Sequence, residues 1–326
     1  MKTAAILAAA ATFGLISSAT AFAADGKVIV YTAAPQELVD KMVQGFEAES
    51  GMQVELIKAG AGELINRLKA EKGRETSDVL WSVGGEILQA NPDLFGDYQP
   101  EGSDHIVEAV RPDGKWTPFT VIATSFVINT DELSEDEWPR TWEDLAKPEY
   151  KDRVSIARLD KSSSAYIQLA TVLQIYGLEE GWDLYGRILD NTMLSNSSGA
   201  VPKFVNDGEA WVGVSNEDVG LRFKFGGGPV DVIYPADGTT AQADGMAIMA
   251  TPANEEGAKA FLDYALSKEG QEIVASIGRR PVRDDVPASD ALTPLSDLNL
   301  IKYDIDWASE YRPTALQEWN EVIMTK

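Results

Sequence analysis

The stretch "AWVGVSNEDV", residues 210–219, sets two adjacent carboxylates, Glu217 and Asp218, where an apolar β run over residues 210–214 gives way to a polar turn. Charge at a strand end inside a compact domain is costly unless it finds a partner. These acids must therefore face water, a metal, or a ligand that needs acceptors. Hydroxyls gather at three other places. In "LDKSSSAYIQL", Ser162, Ser163 and Ser164 stand directly before an apolar-periodic helix; in "SNSSGAVPKFV", Ser197 and Ser198 precede a short one; in "YTAAPQEL", Thr32 precedes a third. Free N–H groups at a helix start, flanked by hydroxyls, hold an anion without a formal positive charge, whereas plain capping needs one serine.

Most other chemistry is excluded by composition. His105 is the single histidine and cysteine is absent, so a Ser-His-Asp or Cys-His nucleophile, a multi-histidine metal site and a disulfide framework all fail. His105 reads as a solvated surface residue. No catalytic residue, metal ligand or cofactor is expected, and a carboxylate-only hydrolase is the one enzymatic arrangement composition permits. The glycines of "AGAGELI", Gly60 and Gly62, start a dinucleotide fingerprint, but Ile65 stands where its third glycine belongs. They read instead as a tight strand-to-helix turn that brings backbone near a cleft. A formal net charge of -24, from 52 acidic and 28 basic residues, argues against nucleic acid or an anionic membrane surface as partner. An anionic ligand would have to be held by local dipoles and donors against that field.

The elements that must position these residues follow from hydropathy patterning. "KVIVYT" reads as a strand and "PQELVDKMVQGFEAESG" as a helix, with Leu38, Met42, Val43 and Phe46 at helical spacing and Gly51 as stop. "MQVELIKA", "GELINRLKAEKG" and "SDVLWSV" continue as strand, helix, strand. A second alternating run follows, with "RVSIARLD" as a strand and helices in "SAYIQLATVLQIYG" and "GWDLYGRILDN". Then come two strands in "GGGPVDVIYPADGTTAQADGMAIMAT" and an amphipathic helix in "EEGAKAFLDYALSKEGQEIVASIG". The pattern predicts an α/β protein of two lobes with parallel βαβ units and ligand sites at the carboxyl ends of the strands. Residues 121–128 and 231–249 are the expected crossing strands. Lobe 1 is assigned residues 25–118 plus 241–280, and lobe 2 residues 119–240 plus 281–326.

The N-terminus places Lys2 before an apolar run over residues 4–16 and small residues at Ala21 and Ala23. That is a secretion signal, residues 1–24, cut near Ala23 or Ala24. The run is shorter than the ~20 apolar residues a bilayer span needs. Without cysteine at the cleavage site the mature chain is no lipoprotein, and a periplasmic location and a monomer are expected.

"VIVYTAAPQELVDKMVQGFEAESGMQVELIKAGAGELINRLKAE", "WTPFTVIATSFVINTDEL" and "YPADGTTAQADGMAIMATPANEEGAKAFLDYALSKEGQEIVASIGRRPVRDDV" together resemble the type II periplasmic solute-binding proteins of ABC importers, in the branch of ferric-iron, sugar-phosphate and phosphonate binders. The resemblance implies a two-lobed fold with ligand in the interlobe cleft, closure on binding, and an inner-membrane permease, or a membrane sensor, as partner. Ferric binders of this branch use a histidine, an acid and a tyrosine pair. Here those positions look like Pro35, the neighbourhood of Val83, and Glu217 with Asp218, so iron ligation loses all four donors; a ferric ion or ferric chelate held by other ligands stays the alternative. "VELIKAGAGEL" is closer to the sugar-phosphate members. By that resemblance a small phosphorylated or phosphonate anion is expected, with Thr32, Ser163, Ser164 and Ser198 as anion donors. Glu217 and Asp218 would accept from ligand hydroxyl or ammonium groups, helped by Asp237, and Trp81 would stack on a sugar ring or an ammonium.

Overall fold

The computed structural model describes residues 26–112 and 114–324; the expected signal over residues 1–24 lies outside them. Strand β1 (Lys27–Thr32) leads into helix α1 (Gln36–Ser50), which buries Leu38, Val39, Met42 and Phe46. Phe46 meets Phe261 edge-on at 5.3 Å, and each such buried side chain contributes about 1.5–3 kcal/mol. Gly51 ends α1 at φ 73° and donates to the Glu47 carbonyl, a left-handed cap that glycine adopts without strain. Then follow β2 (Gln53–Lys58), α2 (Ala61–Ala70), β3 (Val79–Gly84) and the short α3 (Gly85–Gln89).

Strand β4 (Thr117–Asn129) is the longest in the described chain. After it come β5 (Val154–Ala157), α4 (Ser163–Tyr176), α5 (Leu178–Asp190), β6 (Thr192–Ser195), α6 (Val201–Asn206), β7 (Val212–Asn216) and α7 (Glu217–Phe225). The chain closes with β8 (Val230–Ile233), β9 (Ala241–Ile248), α8 (Glu255–Leu266), α9 (Lys268–Ser276), the two-residue β10 (Arg280–Pro281) and α10 (Ile305–Met324). The described strands form one sheet in the order β2-β1-β3-β9-β4-β7-β5-β6, with β10 and β8 pairing β4 off that path.

The two lobes are the two halves of this sheet, and β4 belongs to both. Its residues up to Ala123 pair with β9, and from Thr124 onward they pair with β7. The ladder thus changes partner at 123/124 rather than at the expected 118/119. The chain also stays with the first half past residue 280, since β10 pairs Val121 and Thr120 and Val282 lies in the first-half core. It returns to the second half through α10, whose Ala308, Ala315 and Trp319 are buried there.

Two local readings differ from the sequence pattern. Glu217 and Asp218 open a helix, α7, rather than a turn. The apolar run from residue 255 is two helices, broken at Ser267, whose hydroxyl accepts from Gly270 N–H and caps the second.

Candidate functional site

Between the two halves lies an open cavity of about 650 Å³. Helix starts surround it. Residues at the N-terminal ends of α1, α2, α4 and α7, and the Ser197-Ser198-Gly199 turn before α6, all line it. This follows from the topology, because helices that leave the carboxyl ends of strands point their free N–H groups into the crevice there.

At α4 the cap is Ser162, whose Oγ accepts from Ala165 N–H at 3.2 Å. One serine thus does the capping, and Ser163 and Ser164 line the cavity beside it. Ser163 Oγ also accepts from Gly84 N–H, across the cleft, at 3.4 Å. The halves meet elsewhere too. Lys161 Nζ reaches Glu63 Oε1 at 2.6 Å. A Cβ at Gly60 would lie 2.3 Å from the Lys161 carbonyl oxygen, and one at Gly62 would lie 2.5 Å from that of Asp160. The two glycines thus let one lobe's backbone approach the other's, rather than a nucleotide's.

The charge of the lining is opposite to that of the chain. Lys58, Lys161, Arg222 and Arg279 line the cavity, against a single acid, Asp244. Asp244 is already engaged: Oδ2 accepts from Ser82 Oγ at 2.6 Å and Arg279 Nη1 at 3.2 Å, and Oδ1 from Thr120 N–H at 3.0 Å and the Thr120 hydroxyl. Burial pushes its carboxyl up, while Arg279 and the two hydroxyls oppose that shift. Arg279 is itself buried, which disfavours its charge, yet Asp218 and Asp244 outweigh this and raise its pKa. Ser82 reaches Asp244 from a backbone φ of 55°, at a break in the register between β3 and β9. Such strain in a non-glycine residue tends to accompany functional sites.

Five of the eight site residues expected from sequence stand elsewhere. Glu217 is 1 % exposed and forms a fork with Arg280, Nε to Oε1 and Nη2 to Oε2, both at 2.8 Å. Its carboxylate also accepts from Tyr234 hydroxyl at 2.6 Å and Ala123 N–H at 3.1 Å. Asp218 accepts from Arg279 Nε at 2.7 Å. The acids face arginines, not a ligand, and tie α7 to the segment that opens β10. Trp81 is fully buried, edge-on to Phe119 and Phe261 at 5.4 Å each; it packs a core because alternation on β3 turns it away from the cleft. Thr32 is buried too, three residues ahead of the α1 cap at Pro35, and its hydroxyl accepts from Ala34 N–H at 3.0 Å. Asp237 accepts from Trp142 N–H at 2.9 Å and from the Tyr176 hydroxyl, away from the cavity. Ser163, Ser164 and Ser198 do line it.

Lys58, Lys161, Arg222, Arg279 and Asp244 are the charged lining residues that sequence reasoning missed. The signals available were "GRRP", within the stretch that carried the family resemblance, and the lysine of "LDKSSS". Lys58 and Arg222 are single bases in ordinary polar surroundings and converge only in three dimensions. Pro35, which the resemblance set against the ferric binders' histidine, also lines the cavity, whereas Val83 is buried.

Comparison with known proteins fits this geometry. A Haemophilus influenzae protein named only as uncharacterized is 31 % identical over 322 residues, covering 93 % of this chain and 92 % of that one. The Fe(3+)-binding periplasmic protein of Serratia marcescens is 26 % identical over 302 residues, covering 89 % of each. The periplasmic binding protein AfuA of Actinobacillus pleuropneumoniae, solved with exogenous fructose-6-phosphate bound, superposes with a TM-score of 0.88 at 24 % identity, over 93 % of this chain and 100 % of that one. At that identity the likeness establishes the two-lobed fold alone. Residues 90–305 match the family described as bacterial extracellular solute-binding protein, and the chain belongs to that family.

Proposed function

We propose that this protein is the ligand-capturing component of an ABC importer, closing two lobes over a small organic anion that bears a phosphoryl or phosphonate group and handing it to an inner-membrane permease. The observation that carries this reading is a cavity lined by four cations and one fully engaged acid in a chain whose net charge is -24. Such a reversal of sign at one place raises the local concentration of anions where they are needed. Helix starts supply the second component. The Ser163 and Ser164 hydroxyls, the Ser198 hydroxyl, and neighbouring N–H groups are donors suited to a tetrahedral oxyanion.

The fructose-6-phosphate held by AfuA is in keeping with this class. Iron named for the Serratia relative is less so, because the described lining offers neither phenolate nor imidazole and its one carboxylate is bonded four ways. A carboxylate-only hydrolase meets the same obstacle, since it needs two free acids flanking one bond.

Thermal unfolding tests the proposal. Protein refolded to remove carried-over ligand is heated with hexose phosphates, glycerol 3-phosphate, 3-phosphoglycerate, phosphonoacetate, 2-aminoethylphosphonate, inorganic phosphate and ferric citrate. A true ligand at ~1,000 times its Kd adds about 4 kcal/mol, a rise on the order of 10 °C for a chain of this size. A rise with a phosphorylated or phosphonate compound is expected. A rise with ferric citrate alone overturns the reading.

A further inference from the structure

Resting on that reading, we infer that the ligand is a compact bis-anion: besides its phosphoryl or phosphonate group it carries a second oxyanion, and it carries no ammonium or other cationic group. Among the four lining cations, two already have buried or close acidic partners. Arg279 is held by Asp218 and Asp244, and Lys161 by Glu63 at 2.6 Å. The other two do not. Arg222 has its nearest acid oxygen, on the exposed Glu37, at 3.9 Å, and its Nε is buried without a hydrogen-bond partner. Lys58 Nζ donates to the neutral Gln36 Oε1 at 3.0 Å.

The Arg222 charge also acts on Lys58. Partial burial lowers the Lys58 pKa, Asp40 offsets part of this, and the Arg222 charge, a smaller effect, lowers it again. Two adjacent, undercompensated cations are a place where incoming negative charge is rewarded and incoming positive charge is repelled. The hydroxyls and N–H groups at the start of α4 form a separate set of anion donors, built on the other lobe from Lys58. The two sets together offer donors for two anionic groups.

The far end of the ligand finds no free carboxylate and no aromatic face for an ammonium among the described lining residues. Asp244 has no oxygen free of donors, and no aromatic side chain is among the described lining residues, so both carboxylate pairing and a cation–π face are missing. The cavity therefore discriminates against amino-phosphonates by repulsion as well as by missing partners.

Calorimetric titration of the refolded full chain separates the cases. Phosphonoacetate and 2-aminoethylphosphonate share a phosphonate and differ in carboxylate against ammonium; 3-phosphoglycerate and glycerol 3-phosphate differ in the presence of the carboxylate. The bis-anion of each pair is expected to bind at least about 10-fold tighter, the equivalent of ~1.4 kcal/mol. Lys58→Gln and Arg222→Gln are each expected to cut the preference for the bis-anion within each pair to less than about 3-fold. If 2-aminoethylphosphonate or glycerol 3-phosphate binds as tightly as its bis-anionic counterpart, the inference is overturned and the anion-binding reading stands. If none of the four binds while ferric citrate does, the reading itself falls and the inference with it.

Discussion

Glu217→Ala takes the charged partner from the buried Arg280 guanidinium, leaving it the neutral Thr293 carbonyl and Tyr234 hydroxyl. Removing one member of a buried ion pair costs about 3–5 kcal/mol, so urea unfolding is expected to show a loss of that order. Ligand selectivity of the folded fraction is expected to be unchanged. A stable variant with altered selectivity would return Glu217 to the cleft. The contrast shows where sequence reasoning reached its limit. The pair "ED" at the end of an apolar run signals that charge is buried and must be partnered, but its partners, Arg279 and Arg280, lie 61 and 63 residues further on. The serines were legible because N-terminal hydroxyl chemistry is local: a single serine caps, and the surplus two of "SSS" face the cavity. Lys58 and Arg222 give no local sign. Nor does Ser82, whose positive φ arises from a register break between strands far apart in sequence.

At the scale of elements, the strand-to-helix turn at Gly60 is where closure is most exposed to perturbation. Its φ is −64°, which alanine adopts freely, yet a Cβ there would come within 2.3 Å of the Lys161 carbonyl oxygen on the other lobe. Gly60→Ala is therefore expected to fold normally and to fail to close, lowering ligand affinity about 10-fold or more, with little change in the unfolding temperature of the ligand-free protein. Titration calorimetry and ligand-free melting check the two halves of that statement, and an unchanged affinity would show that the lobes bind without this contact. The βα alternation of residues 27–84 was readable from period and glycine stops because each unit is local. Helix α10 was not, since Pro313 inside it reads as a breaker; packing of Ala308, Ala315 and Trp319 into the second-half core overrides that preference. The partner change within β4 was visible only approximately, because one continuous apolar strand serves both halves and no composition shift marks residue 123.

On the scale of the whole molecule, α3 of the first lobe meets α10 of the second. Glu86 is 2 % exposed there, and burial pushes its carboxyl up to about 7, with Asp244 adding to the shift and Arg312 opposing it. Tyr166 and Tyr303 complete the surroundings through their coupling to this pair. A carboxyl whose folded pKa lies above its unfolded one binds the extra proton in the folded state, so its contribution is fully present below about 4.5 and is lost as pH rises through about 7. The stability of Glu86→Gln relative to the parent is accordingly expected to rise between pH 5 and pH 7.5, measured by urea unfolding; a flat difference would show that Glu86 titrates normally. The central claim, that the interlobe cavity is an anion receptor, is tested most directly by calorimetric affinity for the panel's strongest phosphorylated or phosphonate ligand. The comparison is the parent against Ser163→Ala/Ser164→Ala and against Arg222→Gln. Binding at one site per chain, weakened about 10-fold or more by each change, is the expected result. An affinity that none of these cleft substitutions alters would contradict it.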